Sequence, residues 1–207
     1  MLTKTYLKLF LIFLFYSVSE VRAEINNVSL EQLSVADGLS QGTVNTIFQD
    51  KTGYIWLGTE NGIDIYDGFK VRPLQGPDND FSSFSGGMIK QDSNGLMWLN
   101  VVGKGLYTFD VTTNYYQLIF EKDPNNKENF IVDVLEAGND NYWIATSKSL
   151  IFYNKKSKKQ VEKVNLSEQL LAFDTIFKIS INKGVVYLAT RVGVFVYHIE
   201  KEILKKL

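Results

Sequence analysis

The stretch Val44-Asn-Thr-Ile-Phe-Gln-Asp50-Lys-Thr-Gly53-Tyr-Ile-Trp56-Leu-Gly-Thr59 holds two short apolar segments around a turn signature, Asp-x-x-Gly. The same order returns in Gly87-Met-Ile-Lys-Gln-Asp92-Ser-Asn-Gly95-Leu-Met-Trp98-Leu, and in Ile131-Val-Asp-Val-Leu-Glu-Ala-Gly138-Asn-Asp-Asn-Tyr-Trp143-Ile-Ala-Thr. A fourth copy reads Ile176-Phe-Lys-Ile-Ser-Ile-Asn182-Lys-Gly184-Val-Val-Tyr187-Leu-Ala-Thr. The anchors Trp56, Trp98, Trp143 and Tyr187 therefore lie 42, 45 and 44 residues apart. After each comes a small-residue turn, then an apolar segment with a terminal aromatic: Tyr66, Phe109, Tyr153 and Tyr197. A shorter alternating segment closes each unit: 71–75, 115–120, 160–164 and 202–207. Short strands separated by Gly, Asn and Asp turns, four to a unit of about 45 residues, define an all-β repeat protein. The expected fold is a β-propeller of about four four-stranded blades, near 41–75, 84–120, 129–165 and 173–207. Strands A to D would run from the axis outward in each blade.

The Asp50 and Asp92 turns invite a calcium reading, but an EF-hand loop needs more oxygen ligands and a glutamate at its twelfth position. The simpler expectation is that Asp caps the turn and Gly supplies positive φ in all four copies. No metal and no cofactor are expected.

Residues 1–23 read as a signal peptide. Lys4 and Lys8 precede an apolar run from Leu9 to Tyr16, and Val21-Arg22-Ala23 forms a cleavage site after Ala23. The run is shorter than the ~20 residues of an ordinary spanning helix. An uncleaved anchor is the alternative, and either way the repeats at 24–207 would face a periplasmic or other extracytoplasmic space. A chain of 207 residues can bury a core without staples, and the absence of cysteine leaves no disulfide framework. A net charge of -1 with no basic block speaks against nucleic acid as a partner.

Catalytic groups are scarce. His198 is the sole histidine, so neither a His-based triad nor a multi-histidine metal site can be assembled, and thiol chemistry has no cysteine. Glu60 and Asp64 could serve as a carboxylate pair, but their spacing on alternating strands reads as a solvated face. No catalytic residues are assigned, and the chain is not expected to be an enzyme; a propeller lyase or hydrolase is the least favoured reading.

The string Leu33-Ser-Val-Ala-Asp37-Gly38-Leu39-Ser40-Gln41-Gly42-Thr43-Val44, with Gln49-Asp50-Lys-Thr-Gly53-Tyr-Ile-Trp56-Leu-Gly58-Thr59-Glu-Asn-Gly62-Ile63, resembles the opening of a two-component regulator propeller. The resemblance covers roughly residues 25 to 207 and weakens in later copies, where Tyr187 replaces Trp. It implies the periplasmic sensor region of a hybrid histidine kinase or diguanylate cyclase, with further propeller, membrane and output domains. An extra strand over 28–35 is also expected, since that segment precedes Trp56 as later D strands precede their anchors. Such a strand would complete a later blade, so the chain reads as an open, incomplete propeller: the front part of a longer sensor, or a truncated descendant.

A ligand would sit on the face built by the D–A and B–C connections, which are rich in Asn, Asp, Ser and Gly and suited to a polar small molecule or saccharide. The exposed end blades would favour self-association or association with a membrane signalling protein. The runner-up reading is a stand-alone exported interaction scaffold. Export itself is testable: intact mass analysis of protein recovered from the periplasm should show a mature N-terminus at Glu24, and retention of residues 1–23 would contradict the signal peptide.

Overall fold

The computed structural model describes residues 30–77, 81–82, 84–121, 130–168, 170 and 174–207. The signal segment and its cleavage site at Ala23 lie outside this set. Among the described residues no helix is long and apolar enough to cross a membrane.

Four antiparallel four-stranded sheets follow one another along the chain, each in simple up-and-down order. Blade 1 holds β1 (Val44–Gln49), β2 (Ile55–Thr59), β3 (Gly62–Tyr66) and β4 (Val71–Pro73). Blade 2 holds β5 (Gly86–Gln91), β6 (Met97–Val101), β7 (Gly105–Asp110) and β8 (Tyr115–Glu121). Blade 3 holds β9 (Ile131–Gly138), β10 (Asn141–Thr146), β11 (Ser149–Asn154) and β12 (Lys159–Asn165). Blade 4 holds β13 (Ile176–Asn182), β14 (Val185–Thr190), β15 (Gly193–His198) and β16 (Ile203–Lys206). The fold is an all-β propeller with four blades.

The alternation in each strand gives a blade two apolar faces, and neither can be buried within one sheet. Stacking solves this. Separate apolar clusters join blade 1 to 2, blade 2 to 3 and blade 3 to 4. The anchors sit in matching register, paired with the innermost strand as Phe48–Trp56, Lys90–Trp98, Leu135–Trp143 and Ser180–Tyr187. Each tryptophan meets the terminal aromatic of the following blade edge-on: Trp56 with Phe109 at 6.1 Å, Trp98 with Tyr153 at 6.4 Å, Trp143 with Tyr197 at 5.9 Å. The three tryptophans are at most 2% exposed. Tyr187 occupies the same register but stays partly exposed, as does Tyr66 at the other end of the array. No apolar cluster among the described residues joins blade 4 to blade 1.

The A–B turns divide into two kinds. In blades 1 and 2 the aspartate caps the turn: Asp50 Oδ1 accepts the Thr52 and Tyr54 amides at 2.9 and 3.1 Å, and Asp92 Oδ1 accepts the Asn94 and Leu96 amides at 3.0 and 2.9 Å. Gly53 and Gly95 follow with φ of 97° and 90°, a conformation that costs glycine little. The second carboxylate oxygen takes the anchor indole, Trp56 Nε1 to Asp50 at 2.8 Å and Trp98 Nε1 to Asp92 at 3.4 Å. Burial pushes the Asp50 carboxyl up, but the hydrogen bonds from Thr52, Trp56 and Tyr54 outweigh it and hold its pKa below the usual range. The turn's contribution is therefore complete at neutral pH and is lost as pH falls through that lowered value.

Blades 3 and 4 depart from the expected capped turn. The expected glycine does have positive φ in both, but blade 3 closes with Gly138, Asn139 and Asp140 (79°, 52° and 60°) and blade 4 with Lys183 and Gly184 (45° and 75°). Two-residue turns of this kind follow the twist of the flanking strands, so no side-chain cap is needed. The change has a cost. Ala137 stands six residues before Trp143, where the first two copies have aspartate, and the buried Trp143 Nε1 has no hydrogen-bond partner among the described residues.

The N-terminal strand expected over 28–35 does not form in its described part. Residues 30–34 are irregular and Val35–Asp37 is a single 3-10 turn. Ser34 Oγ accepts the Ala36 amide at 3.2 Å while Asp37 takes the Ser34 amide at 2.9 Å. With an outermost strand already present in each sheet, this segment satisfies its backbone locally instead of pairing. Leu39 then packs with Leu57 and Val71 on the face of blade 1 opposite blade 2.

Trp98→Ala should lower unfolding free energy by about 3–5 kcal/mol, the usual cost of emptying a buried aromatic site. Tyr187→Ala should cost less than half as much, because its ring lacks a facing blade. Urea unfolding followed by circular dichroism measures both; equal losses would contradict the stacking order.

Candidate functional site

Innermost strands β1, β5, β9 and β13 border an axial groove of about 720 Å³. All four blades contribute to its wall, so the groove is a product of the stacking and of no single repeat. Its exposed apolar groups include Ile47 at 71%, Phe177 at 49%, Phe130 at 42% and Val102 at 42%. Isolated apolar residues on a surface are ordinary, but these four converge on one concavity.

Below them lies a charged cluster. Asp133 on β9 is fully buried and takes one lysine from each neighbouring blade. Its Oδ1 accepts from Lys90 Nζ of β5 and from the Val134 amide at 2.9 Å. Its Oδ2 accepts from the Ile179 amide at 3.2 Å and lies 3.2 Å from Lys178 Nζ of β13. Lys90 also donates to the Val134 carbonyl at 2.7 Å. Burial pulls the Lys90 pKa below its ordinary value, with Asp133 pulling the other way. The Lys178 side chain is 65% exposed, so its ammonium bridges the buried carboxylate and the solvent of the groove. One carboxylate thus faces two cations, and the cluster carries one surplus positive charge.

The opposite face, made by A–B and C–D turns, is occupied by hydrogen bonds between blades. Lys51 Nζ donates to the Asp92 and Ser93 carbonyls at 2.9 and 2.7 Å, and the Ser93 amide donates to Glu136 at 2.8 Å. Tyr142 OH reaches across to Asp92 at 2.7 Å. Burial, followed by this aspartate, pushes the Tyr142 phenol well above its usual pKa, so it serves as a permanent donor. A concavity of about 450 Å³ lies among these turns, lined by Asp50, Lys51 and Thr52 with Asp110 and Lys155.

On the face expected to bind ligand, a small cavity of about 20 Å³ lies between the Asn100–Gly105 turn, Phe120 and Phe130. The connection 122–129, with parts of 76–86 and 166–173, lies outside the described residues. Asn100 is turned inward, donating to the Ile131 carbonyl at 2.9 Å and so tying blade 2 to blade 3. Asp64 requires a correction. It was expected on a solvated face with Glu60, yet it is fully buried. Ser40 covers it, donating its amide at 2.8 Å and its hydroxyl at 2.6 Å. The Asp37-Gly38-Leu39-Ser40 string therefore docks on blade 1 through a carboxylate whose two oxygens both accept from Ser40. His198 ends β15, partly exposed, paired with Val185 and Ile203.

The Asp133 cluster escaped the sequence reading. A signal was present: Asp133 and Lys178 hold equivalent positions in strand A, opposite Ala145 and Ala189, in an otherwise apolar pattern. Opposite charges at one repeat position in consecutive blades would meet between neighbouring inner strands.

Comparison with known proteins agrees with this architecture. Residues 38–61, which contain the Ser40 contact, the Asp50 turn and Trp56, match the family model described as a two component regulator propeller. Over 75 residues, 36% of the chain, it is 33% identical to histidine kinase P4 of Formosa agariphila; that stretch is 5% of the kinase. Among solved structures it is similar to the extracellular domain of a hybrid two component system from B. thetaiotaomicron, with a TM-score of 0.69 and 17% identity. That match covers 86% of this chain and 26% of the other, so the chain spans about a quarter of that domain. It is also similar to virginiamycin B lyase from Staphylococcus aureus, with a TM-score of 0.56 and 12% identity over 78% of this chain and 54% of the lyase. At these identities the structural likenesses establish the propeller fold.

Asp133→Ala should destabilise the protein by about 3–5 kcal/mol, because it leaves the largely buried Lys90 without its counter-ion. Lys178→Ala should cost under about 1 kcal/mol, since that lysine is mostly in water. Urea midpoints at neutral pH compare the two; a mild Asp133 variant would show that the cluster does not brace the axis.

Proposed function

We propose that the chain is a periplasmic ligand-sensing propeller module of a bacterial signal-transduction receptor of the two-component regulator type, without catalytic activity of its own. The observation that carries this reading is the family match at residues 38–61, in the segment that builds the first blade and its Ser40–Asp64 contact. The likeness to an extracellular sensor domain supports it, as does the signal-peptide pattern at residues 1–23. The chemistry of the chain fits a binder better than a catalyst: Asp50, Asp64 and Asp133 are committed to structural hydrogen bonds, and His198 stands at a strand end. A polar small molecule or saccharide would be the signal, and no cofactor is needed.

The partly exposed rings of Tyr187 and Tyr66 favour a second reading of how the module works. Each is half of the aromatic pair that joins successive blades, so self-association, or docking on a membrane signalling protein, would complete them. A stand-alone exported scaffold would use the same two faces.

A thermal-shift screen of the purified chain against neutral, acidic and amino oligosaccharides tests the ligand-sensing reading. One saccharide class should raise the melting midpoint saturably, by the equivalent of about 2.7 kcal/mol at a hundredfold excess over Kd. Chromatography should show the saccharide unchanged. Product formation would replace the sensing module with an enzyme, and no shift across all three classes would remove saccharides as the signal.

A further inference from the structure

We propose that the axial groove is a binding site for a small carboxylate with an apolar body, its carboxylate held by Lys178 and its body seated on Phe177 and Phe130. This goes beyond the sensing reading, since its ligand is not a saccharide, and rests on that reading only in one respect, that the propeller binds a small molecule.

Charge points to an anion. Both oxygens of Asp133 are taken, one by Lys90 and the Val134 amide, the other by Lys178 and the Ile179 amide. Among the described residues Asp133 is the partner of Lys178, and an ammonium carries three donors, so Lys178 has N–H groups to offer to a ligand. Lys178 is the exposed member, and its surplus charge faces the groove. Arg191 adds a second cation nearby, its guanidinium 5.9 Å from the centre of the Phe177 ring. Among the described residues that line the groove none is acidic. Asp174, beside Thr175 in sequence, is buried and absent from the wall.

The rest of the wall decides against a hydrophilic anion. Phe177 and Phe130 are each close to half exposed, and Ile47 reaches in from blade 1. A ligand that covers these groups gains from burying apolar surface, whereas inorganic phosphate or acetate covers little of it. Size agrees, because about 720 Å³ falls within the usual range for small-molecule sites. Charge alone would select any anion; charge beside two half-exposed aromatic rings selects an aryl or alkyl carboxylate.

Isothermal titration of the full chain with benzoate and hexanoate tests the site, with benzyl alcohol as the uncharged analogue and acetate as the anion without a body. Benzoate and hexanoate should bind one to one, while benzyl alcohol and acetate should bind at least about tenfold more weakly, given what a charge-assisted hydrogen bond contributes. Lys178→Gln should weaken benzoate binding by a similar factor, Phe177→Ser should weaken it too, and Lys159→Gln on exposed β12 should leave it unchanged. Circular dichroism confirms that each variant is folded. Equal affinity for benzoate and benzyl alcohol, wild-type affinity in folded Lys178→Gln, or no heat with either carboxylate would overturn the proposal. Because binding is read on the isolated chain, a failure here is distinct from a failure of the receptor role or of the saccharide screen.

Discussion

Everything in this molecule depends on one contact made three times, an anchor tryptophan meeting the terminal aromatic of the next blade edge-on. The two rings come from different repeats and different strands, yet the centroid distances fall between 5.9 and 6.4 Å. An edge-to-face pair contributes only about 0.5–1.5 kcal/mol beyond the area it buries. Its larger effect is to fix order. Because the tryptophan always looks forward and the terminal aromatic backward, blades stack in one direction and one register. The residues that vary least between copies are thus the ones whose partners lie in another copy.

Stacking around an axis brings the innermost strands close together, and there the repeat stops being uniform. Asp133 stands where the first two blades carry Thr46 and Met88, and a buried carboxylate is costly unless it is paired and hydrogen-bonded. Lys90 and Lys178 meet that need from either side, so the cluster bridges three consecutive blades. A uniform repeat could not do this, because identical charges at one position would repel across the axis. Specific closure of the inner wall therefore requires the copies to differ there while they agree at the aromatic seam.

The same division explains what was legible in the sequence. The period, the four strands per blade and the anchor register were readable because they rest on residues that recur. The turn chemistry was half readable: Asp50 and Asp92 cap as expected, but a two-residue turn at Asn139 and Asp140 needs no aspartate, and Ala137 leaves the Trp143 indole without a partner among the described residues. Asp64 was misread because burial by Ser40 comes from a segment twenty-four residues away, outside any strand alternation. The 28–35 strand was inferred from spacing alone, and spacing cannot supply a free edge to pair with. Asp133 was missed for a related reason. Its meaning is a relation among three copies: Lys178 holds the same repeat position in the next blade, while Lys90 reaches it from two residues further along its own strand.

Where the copies agree, the surface is structural; where they differ, it is free to be selective. The turn face shows the first case at Asp50 and Asp92, which cap their turns and hold the anchor indoles in the same way. The axial wall shows the second. Thr46, Met88, Asp133 and Lys178 stand two residues before the strand A partners of the anchors in successive blades, with four different chemistries on one scaffold position. Rigid sheets hold these side chains, and a site built from strands keeps its geometry better than one built from loops. A propeller can therefore change what it recognises by substitutions along the axis, without touching the aromatic seam on which its stability rests.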